Sequence, residues 1–280
     1  MYKVENKEIK LEHGSIKKGI IAVASGKGGV GKSTVTVNLA TALAELGYNV
    51  GILDADVRGF SVPRILGVEK KPKAVDEKEI IPPEAHGIKV ISMGSFVDEN
   101  SPVIWRAPLL GGALEQFFKD VRWGELDYLL MDLPPGTGDM SLNIMQKVPH
   151  SDIAVVTTPQ VTATKVAGRI GKMAEKMDRK VLGVIENMSY YQCSECGHKE
   201  YIFGENGGKN LADYMETELL GQLPLVSDIR KRSDSGNPIM YEEPNSEISR
   251  EFISIAEKID KMENGFDEEL EPVKLKMEVD

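Results

Sequence analysis

The sequence predicts an α/β protein built on a doubly wound, mostly parallel sheet with helices on both faces. Short apolar runs alternate with helix-like segments along most of the 280 residues. Several runs show little polar alternation, as expected for strands covered on both faces. Hydrophobic residues make up 41% of the chain, enough for a sizeable core. The predicted strands cover residues 20–24, 50–53, 88–91, 128–131, 153–157, 181–185 and 219–223.

Helical patterns lie between these runs. The clearest covers 32–46, where Val35, Leu39 and Leu43 share one face and Gly47 acts as a stop. The last covers 244–262 and spaces its apolar residues by three and four, which indicates an amphipathic helix packed on the body. The other predicted helices cover 108–120, 141–147, 162–177 and 207–217.

We expect one domain over 19–262, preceded by a polar arm over 1–18 and followed by an acidic tail over 263–280. The segment 69–87 is rich in Lys, Glu and Pro and predicts an exposed hairpin or excursion from the sheet. The segment 190–203 is too polar for the core and carries the cysteines.

Charge and composition exclude several classes of function. A net charge of −10 argues against binding nucleic acid through a general basic surface. No run approaches the roughly 18 apolar residues of a membrane span, and the N-terminus lacks the apolar stretch of a secretory signal. Two cysteines do not make the disulfide framework of a secreted domain. We therefore expect a cytoplasmic protein that binds neither nucleic acid nor membrane.

Residues 26–33 fit the pattern G-x-x-x-x-G-K-[ST] of a phosphate-binding loop, in the strand–loop–helix context that such a loop needs. The glycines let backbone N–H groups turn toward phosphates, and the helix N-terminus adds a favourable dipole. We expect Lys32 to contact the β- and γ-phosphates of ATP and the Ser33 hydroxyl to bind Mg²⁺. The predicted nucleotide-binding residues of the loop are Gly26, Lys27, Gly28, Gly29, Val30, Gly31, Lys32, Ser33 and Thr34.

Aspartates follow two of the predicted strands. Asp54 and Asp56 come after the run 50–53, and Asp132 comes after 128–131. Doubly wound folds place their ligand chemistry at the carboxyl ends of strands. Prolines and glycines in 133–138 form a loop able to change shape when a γ-phosphate leaves. Any of these aspartates alone could be a turn or cap residue, but beside a phosphate loop we expect functional roles.

Lys27 is an unusual second lysine in the loop, and at this position its side chain would point out of the loop. It is either a solvated surface lysine or a functional one. The residues K-G-G-V-G-K-S at 27–33 resemble the deviant Walker A ATPases, the class that includes MinD, ParA and the nitrogenase iron protein. The resemblance implies a nucleotide-dependent homodimer in which Lys27 reaches the nucleotide of the other subunit, like an arginine finger.

The same resemblance implies roles for residues outside the loop. Asp132 resembles the Walker B aspartate, which holds Mg²⁺ directly or through water. Asp54 and Asp56 correspond to the first switch, with Asp56 orienting the attacking water. Gly136 corresponds to the residue whose backbone N–H senses the γ-phosphate. The implied catalytic residues are Lys27, Lys32, Asp56 and Asp132.

Two further positions resemble the base pocket of related ATPases. Asn187 matches the asparagine that reads adenine. Pro224, in the turn 221–229, resembles the opposite wall of that pocket.

Cys193 and Cys196 form a C-x-x-C pair in a polar loop. A disulfide is not expected in a reducing compartment, and no thioredoxin-like context surrounds the pair. Two metal sites remain. A 4Fe–4S cluster usually takes four thiolates, which a symmetric dimer supplies with two from each subunit. A structural Zn²⁺ also takes four ligands, and His198 could complete such a site within one chain.

The phosphate loop, the run DLPPGTGD at 132–139, the run ENMS at 186–189 and the cysteine pair together resemble the Mrp/ApbC-like family of iron–sulfur cluster carrier ATPases. The resemblance implies an ATP hydrolase that uses ATP and Mg²⁺. It also implies that the protein holds a 4Fe–4S cluster across a homodimer and passes it from a cluster donor to apo iron–sulfur proteins.

Three other functions stay open. A MinD/ParA-like positioning ATPase would bind membrane or DNA, but the segment 267–271 is acidic and the C-x-x-C has no part in that role. A reductase like the nitrogenase iron protein would take its cluster cysteines from separated positions. An ATPase with a structural zinc at the dimer interface would differ from the carrier in its metal content.

Overall fold

The structure is a computed structural model that describes residues 4–5, 8–57, 59–76, 79–96, 107–148, 150–193 and 195–264. Its strands are β1 (Val4–Glu5), β2 (Glu8–Leu11), β3 (Gly14–Ser25), β4 (Val50–Asp54), β5 (Lys73–Asp76), β6 (Glu79–Ile81), β7 (Glu84–Ala85), β8 (Ile88–Ser92), β9 (Gly124–Asp132), β10 (Asp152–Thr157), β11 (Val181–Glu186), β12 (Tyr191–Gln192), β13 (Lys199–Glu200) and β14 (Leu219–Gln222). Its α-helices are α1 (Lys32–Glu45), α2 (Val62–Leu66), α3 (Ala107–Lys119), α4 (Asp139–Lys147), α5 (Val161–Lys176), α6 (Gly207–Tyr214), α7 (Ser227–Ser235), α8 (Ile239–Glu242) and α9 (Glu247–Asn264), and a 3-10 turn covers Met93–Phe96.

The main sheet has the strand order β14-β11-β10-β3-β9-β4-β8-β7. All pairs from β14 to β8 are parallel, and β7 is antiparallel to β8. The seven predicted strands form this parallel part, so the predicted doubly wound fold is confirmed. β9 lies between β3 and β4, whereas β10 lies on the other side of β3. The order in which strands are added to the sheet therefore reverses at β3, the strand that leads into the phosphate loop.

Helices cover both faces of the sheet. On one face α1 and α9 pack together, and Leu39, Phe252 and Ile255 are at most 1% exposed. The other face is covered by α3 to α6, with Leu114 and Ile170 fully buried. The amphipathic C-terminal helix predicted from the sequence is therefore present, with its apolar side in the core.

The predicted boundary between arm and domain falls inside a strand. β3 starts at Gly14, and β2 pairs antiparallel with it in a register that places Ile9 opposite Ile16. Both side chains are buried, at 3% and 0% exposure, so this part of the arm contributes to the core instead of projecting from it. The sheet therefore begins before residue 19. The exposed hairpin predicted in 69–87 is present as β5 and β6, and the tail beyond Asn264 lies outside the described residues.

Candidate functional site

The phosphate loop connects β3 to α1, and its shape depends on glycine. Gly29 and Gly31 have φ angles of +79° and +80°, which side chains rarely adopt. A Cβ on Gly26 would lie 2.4 Å from the backbone nitrogen of Ala167 in α5, so the loop begins pressed against that helix. Gly31 is the N-cap of α1 and no side chain caps the helix there, which leaves its first N–H groups for a phosphate.

Lys32, at the start of α1, forms a buried ion pair with the acidic residues of neighbouring strands. Its Nζ lies 2.8 Å from Asp132 Oδ1 and 3.6 Å from Asp56 Oδ2, and the lysine is only 6% exposed. Without a nucleotide, these carboxylates supply the negative charge that a buried ammonium needs. The structure therefore brings together Lys32, Asp56 and Asp132, three of the residues for which the sequence predicts catalytic roles.

Asp132, at the end of β9, is fully buried and also accepts two hydroxyl hydrogen bonds. Ser33 Oγ donates to its Oδ2 over 2.6 Å, and Thr36 Oγ1 donates to its Oδ1 over 2.8 Å. A serine hydroxyl beside a carboxylate is a donor set that suits Mg²⁺, directly or through water. Ser33 and Asp132 thus fit the Mg²⁺ role expected of them. Thr36 was not singled out in the sequence, because it resembles any other residue of a helix.

Asp54, at the end of β4, is buried beside Asp132. Burial, reinforced by the charge of Asp132, raises the pKa of Asp54 to about 8. Its Oδ1 accepts the backbone N–H of Asp56, and Ser92 Oγ lies 3.1 Å from its Oδ2. Asp54 therefore links the segment after β4 to the end of β8, and its burial favours the neutral acid over the carboxylate.

Gly136 lies in the loop after β9 with a φ angle of +90°. Its N–H donates to the carbonyl of Ser25 over 2.7 Å, at the start of the phosphate loop. In this conformation the Gly136 N–H that is expected to contact a γ-phosphate already donates to Ser25. It can bind the phosphate only after that hydrogen bond is broken.

Two adjoining cavities follow the loop. One, of about 320 Å³, is lined by the phosphate loop together with Asp56 and Pro135. The other, of about 350 Å³, is lined by Asn187 and Pro224, the two residues predicted for the base pocket, among others. The sequence did not point to Arg64 of α2 or Arg230 of α7, which also line the second cavity.

Asn187 is buried and its amide is oriented by the phosphate loop. Its Nδ2 donates to the carbonyl of Val30 over 2.8 Å. A Cβ on Gly31 would lie 2.3 Å from the same Nδ2, so this close contact also requires glycine. With Nδ2 engaged, Oδ1 is the acceptor that Asn187 offers to a ligand.

Lys27 makes a contact within its own chain. Its Nζ donates to Gln160 Oε1 over 2.7 Å, immediately before α5. The lysine is half-buried and does not extend freely into solvent. The structure thus places Lys27 against Gln160, a residue that the sequence gave no reason to single out.

Cys193 and Cys196 lie at the tip of the small β12–β13 hairpin. The N–H of Cys193 donates to the carbonyl of His198, and the N–H of Gly197 donates back to Cys193. Hydrogen bonds to the Cys193 sulfur from the backbone of Cys196, then of Glu195, lower the pKa of the Cys193 thiol. Such a tight turn favours the thiolate, which is the form that binds metal.

Within the described part of the chain, no third Cys, His, Asp or Glu joins the cysteine pair to form a metal-binding group. His198 therefore does not complete a site with the two thiols in this conformation. Cys193 is half-buried and Cys196 exposed, and both are free thiols. A four-ligand site at this hairpin therefore needs ligands in addition to those that the described part of one chain brings together.

The cysteine hairpin is anchored to the sheet at its base by Glu186, the last residue of β11. This carboxylate is fully buried and accepts hydrogen bonds from Ser189 Oγ over 2.6 Å and Gln222 Nε2 over 2.7 Å. It also accepts the N–H of Gly208 in the first turn of α6. The two ends of the hairpin segment are thereby tied to one buried group.

A family model described as ParA, NUBPL iron-transfer P-loop NTPase, matches residues 16–260. The chain belongs to this family. It is 50% identical over 240 residues to an iron–sulfur cluster carrier protein of Bacillus subtilis, covering 86% of this chain and 67% of the relative. It is 48% identical over 241 residues to one of Pseudomonas fragi, covering 85% and 84% of the two chains.

Solved structures agree with the fold. A nucleotide-binding protein of Archaeoglobus fulgidus in complex with ADP is 42% identical with a TM-score of 0.71, and the match covers 82% of this chain and 89% of that one. The septum site-determining protein MinD of Pyrococcus horikoshii, complexed with Mg-ADP, is 25% identical with a TM-score of 0.68, covering 88% and 97%. This chain is thus a P-loop NTPase of the MinD/ParA type. In the described residues, no helix combines the length and apolarity of a membrane span.

Proposed function

We propose that this protein is an ATP-hydrolysing carrier that holds a 4Fe–4S cluster between two copies of the chain and delivers it to apo iron–sulfur proteins. The observation that carries the proposal is that the two-thiol hairpin and the phosphate loop follow two parallel strands of one sheet, β11 and β3, at the same carboxyl edge. The curated relatives described as iron–sulfur cluster carriers support the choice of cargo.

ATP is proposed to place its phosphates on the loop 26–34 and its base between Asn187 and Pro224. Because Asn187 Nδ2 already donates a hydrogen bond to the carbonyl of Val30, its Oδ1 is the atom that would accept a hydrogen bond from the base. Adenine offers an amino group at the matching position, whereas guanine offers a carbonyl oxygen. The amide orientation therefore favours ATP over GTP.

Hydrolysis is proposed to use the buried cluster around Lys32. Ser33 and Asp132 would hold the Mg²⁺ that arrives with ATP, and this ion would offset the charge of the phosphates. Lys32 would leave Asp132 for the β- and γ-phosphates, and Asp56, 3.6 Å from Lys32, would orient the attacking water. Gly136 would exchange its bond to Ser25 for the γ-phosphate.

Two features require a second copy of the chain. Lys27 is proposed to act on the partner's nucleotide, and the two thiols of one hairpin are half of a four-thiolate site. Exposed apolar side chains lie in the same region: Val161, directly after Gln160, is 66% exposed, and Ile202, after the cysteine turn, is 53% exposed. These side chains suit burial in a homodimer interface. The free thiols that the cargo requires suit the reducing cytoplasm, where we propose that the protein works.

Anaerobic cluster transfer tests the proposal. The protein is reconstituted with iron and sulfide, then mixed with an apo-acceptor whose activity requires a 4Fe–4S cluster, with and without ATP. We expect transfer from the wild type and none from Cys193→Ser or Cys196→Ser, with Ser235→Ala, at an exposed position of α7, as a control. Activation by either cysteine variant would refute the proposal. Stoichiometric Zn²⁺ in the anaerobically purified protein would instead favour a structural metal.

A further inference from the structure

The contact between Lys27 and Gln160 is the strongest feature that the proposed function leaves unexplained. A lysine that acts on a partner's nucleotide must leave its own subunit, yet here its Nζ donates to Gln160 Oε1 over 2.7 Å. We propose that Gln160 is a positioning residue that holds Lys27 in the resting monomer and must release it before two chains close on ATP. This inference rests on the proposed role of Lys27 in the dimer.

The side chain of Gln160 has no other structural task in the described residues. It is the N-cap residue of α5, but its side chain makes no capping hydrogen bond. Only its backbone carbonyl serves the helix, by accepting the N–H groups of Ala163 and Thr164. The amide can therefore hold Lys27 or release it without the loss of a capping hydrogen bond at the start of α5.

An amide is well suited to a contact that has to open. A carboxylate at position 160 would add the attraction of a full negative charge to the hydrogen bond and hold the ammonium more tightly than the neutral amide does. A neutral oxygen restrains the ammonium while allowing the negative phosphates of a second subunit to compete for it. The chemistry of Gln160 thus fits a reversible contact.

The same segment touches the base of the cysteine hairpin. A Cβ on Gly207, the first residue of α6, would lie 2.2 Å from the carbonyl oxygen of Pro159, so the two backbones are in direct contact. Within the part of the chain described, the buried hydroxyl of Thr158 has no hydrogen-bond partner. Residues 158–160 therefore contact Lys27 through Gln160 and the start of α6, the helix that follows the hairpin, through Pro159. Release of Gln160 is expected to loosen the hairpin.

The experiment measures the monomer–dimer dissociation constant of the full chain by analytical ultracentrifugation with a non-hydrolysable ATP analogue and Mg²⁺. Gln160→Ala removes the contact in both subunits. Each contact that no longer has to be broken should favour the dimer about fivefold, so the loss of both should lower the dissociation constant about 25-fold. Gln160→Glu is expected to raise it at least about fivefold. Gln116→Ala, on the exposed side of α3, is the matched control and should equal the wild type.

A double variant separates release of Lys27 from any general effect on the interface. In a Lys27→Ala background, Gln160→Ala should have no further effect, because the group that it holds is gone. An unchanged or raised dissociation constant for Gln160→Ala alone overturns the proposal. The proposal is also overturned if Gln160→Ala lowers the dissociation constant in the Lys27→Ala background. If Lys27→Ala dimerises like the wild type, the trans role of Lys27 in the proposed function fails instead.

Hydrogen exchange tests the link to the hairpin. In the nucleotide-free monomer, the peptide covering 195–208 should exchange faster in Gln160→Ala than in Gln116→Ala. Equal exchange in the two variants overturns the connection through Pro159 and Gly207.

Discussion

Asp54 gives a prediction whose sign and size follow from its burial. The pKa of this carboxyl rises from 3.8 to about 8 in the folded protein, because burial and the charge of Asp132 both oppose ionisation. Between these values the folded state holds a proton that the unfolded state has lost. Asp54 therefore makes the nucleotide-free protein less stable as pH rises through this interval.

The size of this pH effect follows from the difference in the number of protons bound by the folded and unfolded states. One extra proton in the folded state changes the free energy of unfolding by about 1.4 kcal/mol per pH unit. Between about pH 5.5 and 7.5, both inside the interval, Asp54 should lower the stability by roughly 3 kcal/mol. Asp54→Asn imitates the neutral acid, since its oxygen accepts the N–H of Asp56 and its NH₂ group donates to Ser92 Oγ.

The assay is urea unfolding of nucleotide-free wild type and Asp54→Asn at both pH values. The variant's advantage should grow by about 3 kcal/mol from the lower pH to the higher one. Other titrating groups cancel in this difference, and Asp127→Asn, at a surface position of β9, serves as a control. A difference that is independent of pH, or that favours the wild type at the higher pH, would refute the assignment of Asp54 as a neutral acid.

Three further predictions follow from buried polar groups. Asp132→Ala leaves Lys32 with only the more distant carboxylate, so we expect the unfolding free energy to fall by about 3 kcal/mol; a loss below about 1 kcal/mol in urea would contradict this. Asn187→Ala removes the acceptor proposed for adenine, so competition binding should show the preference for ATP over GTP falling about tenfold; an unchanged preference would exclude this role. Glu186→Ala should speed hydrogen exchange across 189–208 and cost about 2 kcal/mol or more, whereas the exposed Glu205→Ala should match the wild type in both measurements.

The parts of the fold that depend on pattern were accessible from the sequence. Apolar runs of strand length and the helical spacing of residues such as Val35 and Leu39 predict which elements form and in which class of fold. The β2–β3 hairpin was missed because Ile9 and Ile16 are isolated apolar residues in a polar segment. Their burial depends on antiparallel pairing, which no local periodicity reveals.

The sequence likewise predicted some residues of the candidate site and missed others. The spacing of the phosphate loop and the aspartates after two strands indicates a nucleotide site, because these positions are fixed by the strand ends. Thr36, Ser92 and Gln160 were missed, since each contacts a site residue between 38 and 133 positions away in sequence. Such contacts depend on how helices and strands pack, and ordinary residue types at ordinary positions give no sign of them.

Two chains are proposed to share one cluster, and native mass spectrometry of the anaerobically reconstituted protein is the most direct test. We expect a dimer that carries about four iron and four sulfide per two chains, with the bound cluster and the cluster-dependent dimer both lost in Cys193→Ser/Cys196→Ser. A monomer carrying a complete 4Fe–4S cluster, or a dimer that holds the cluster without these thiols, would contradict it.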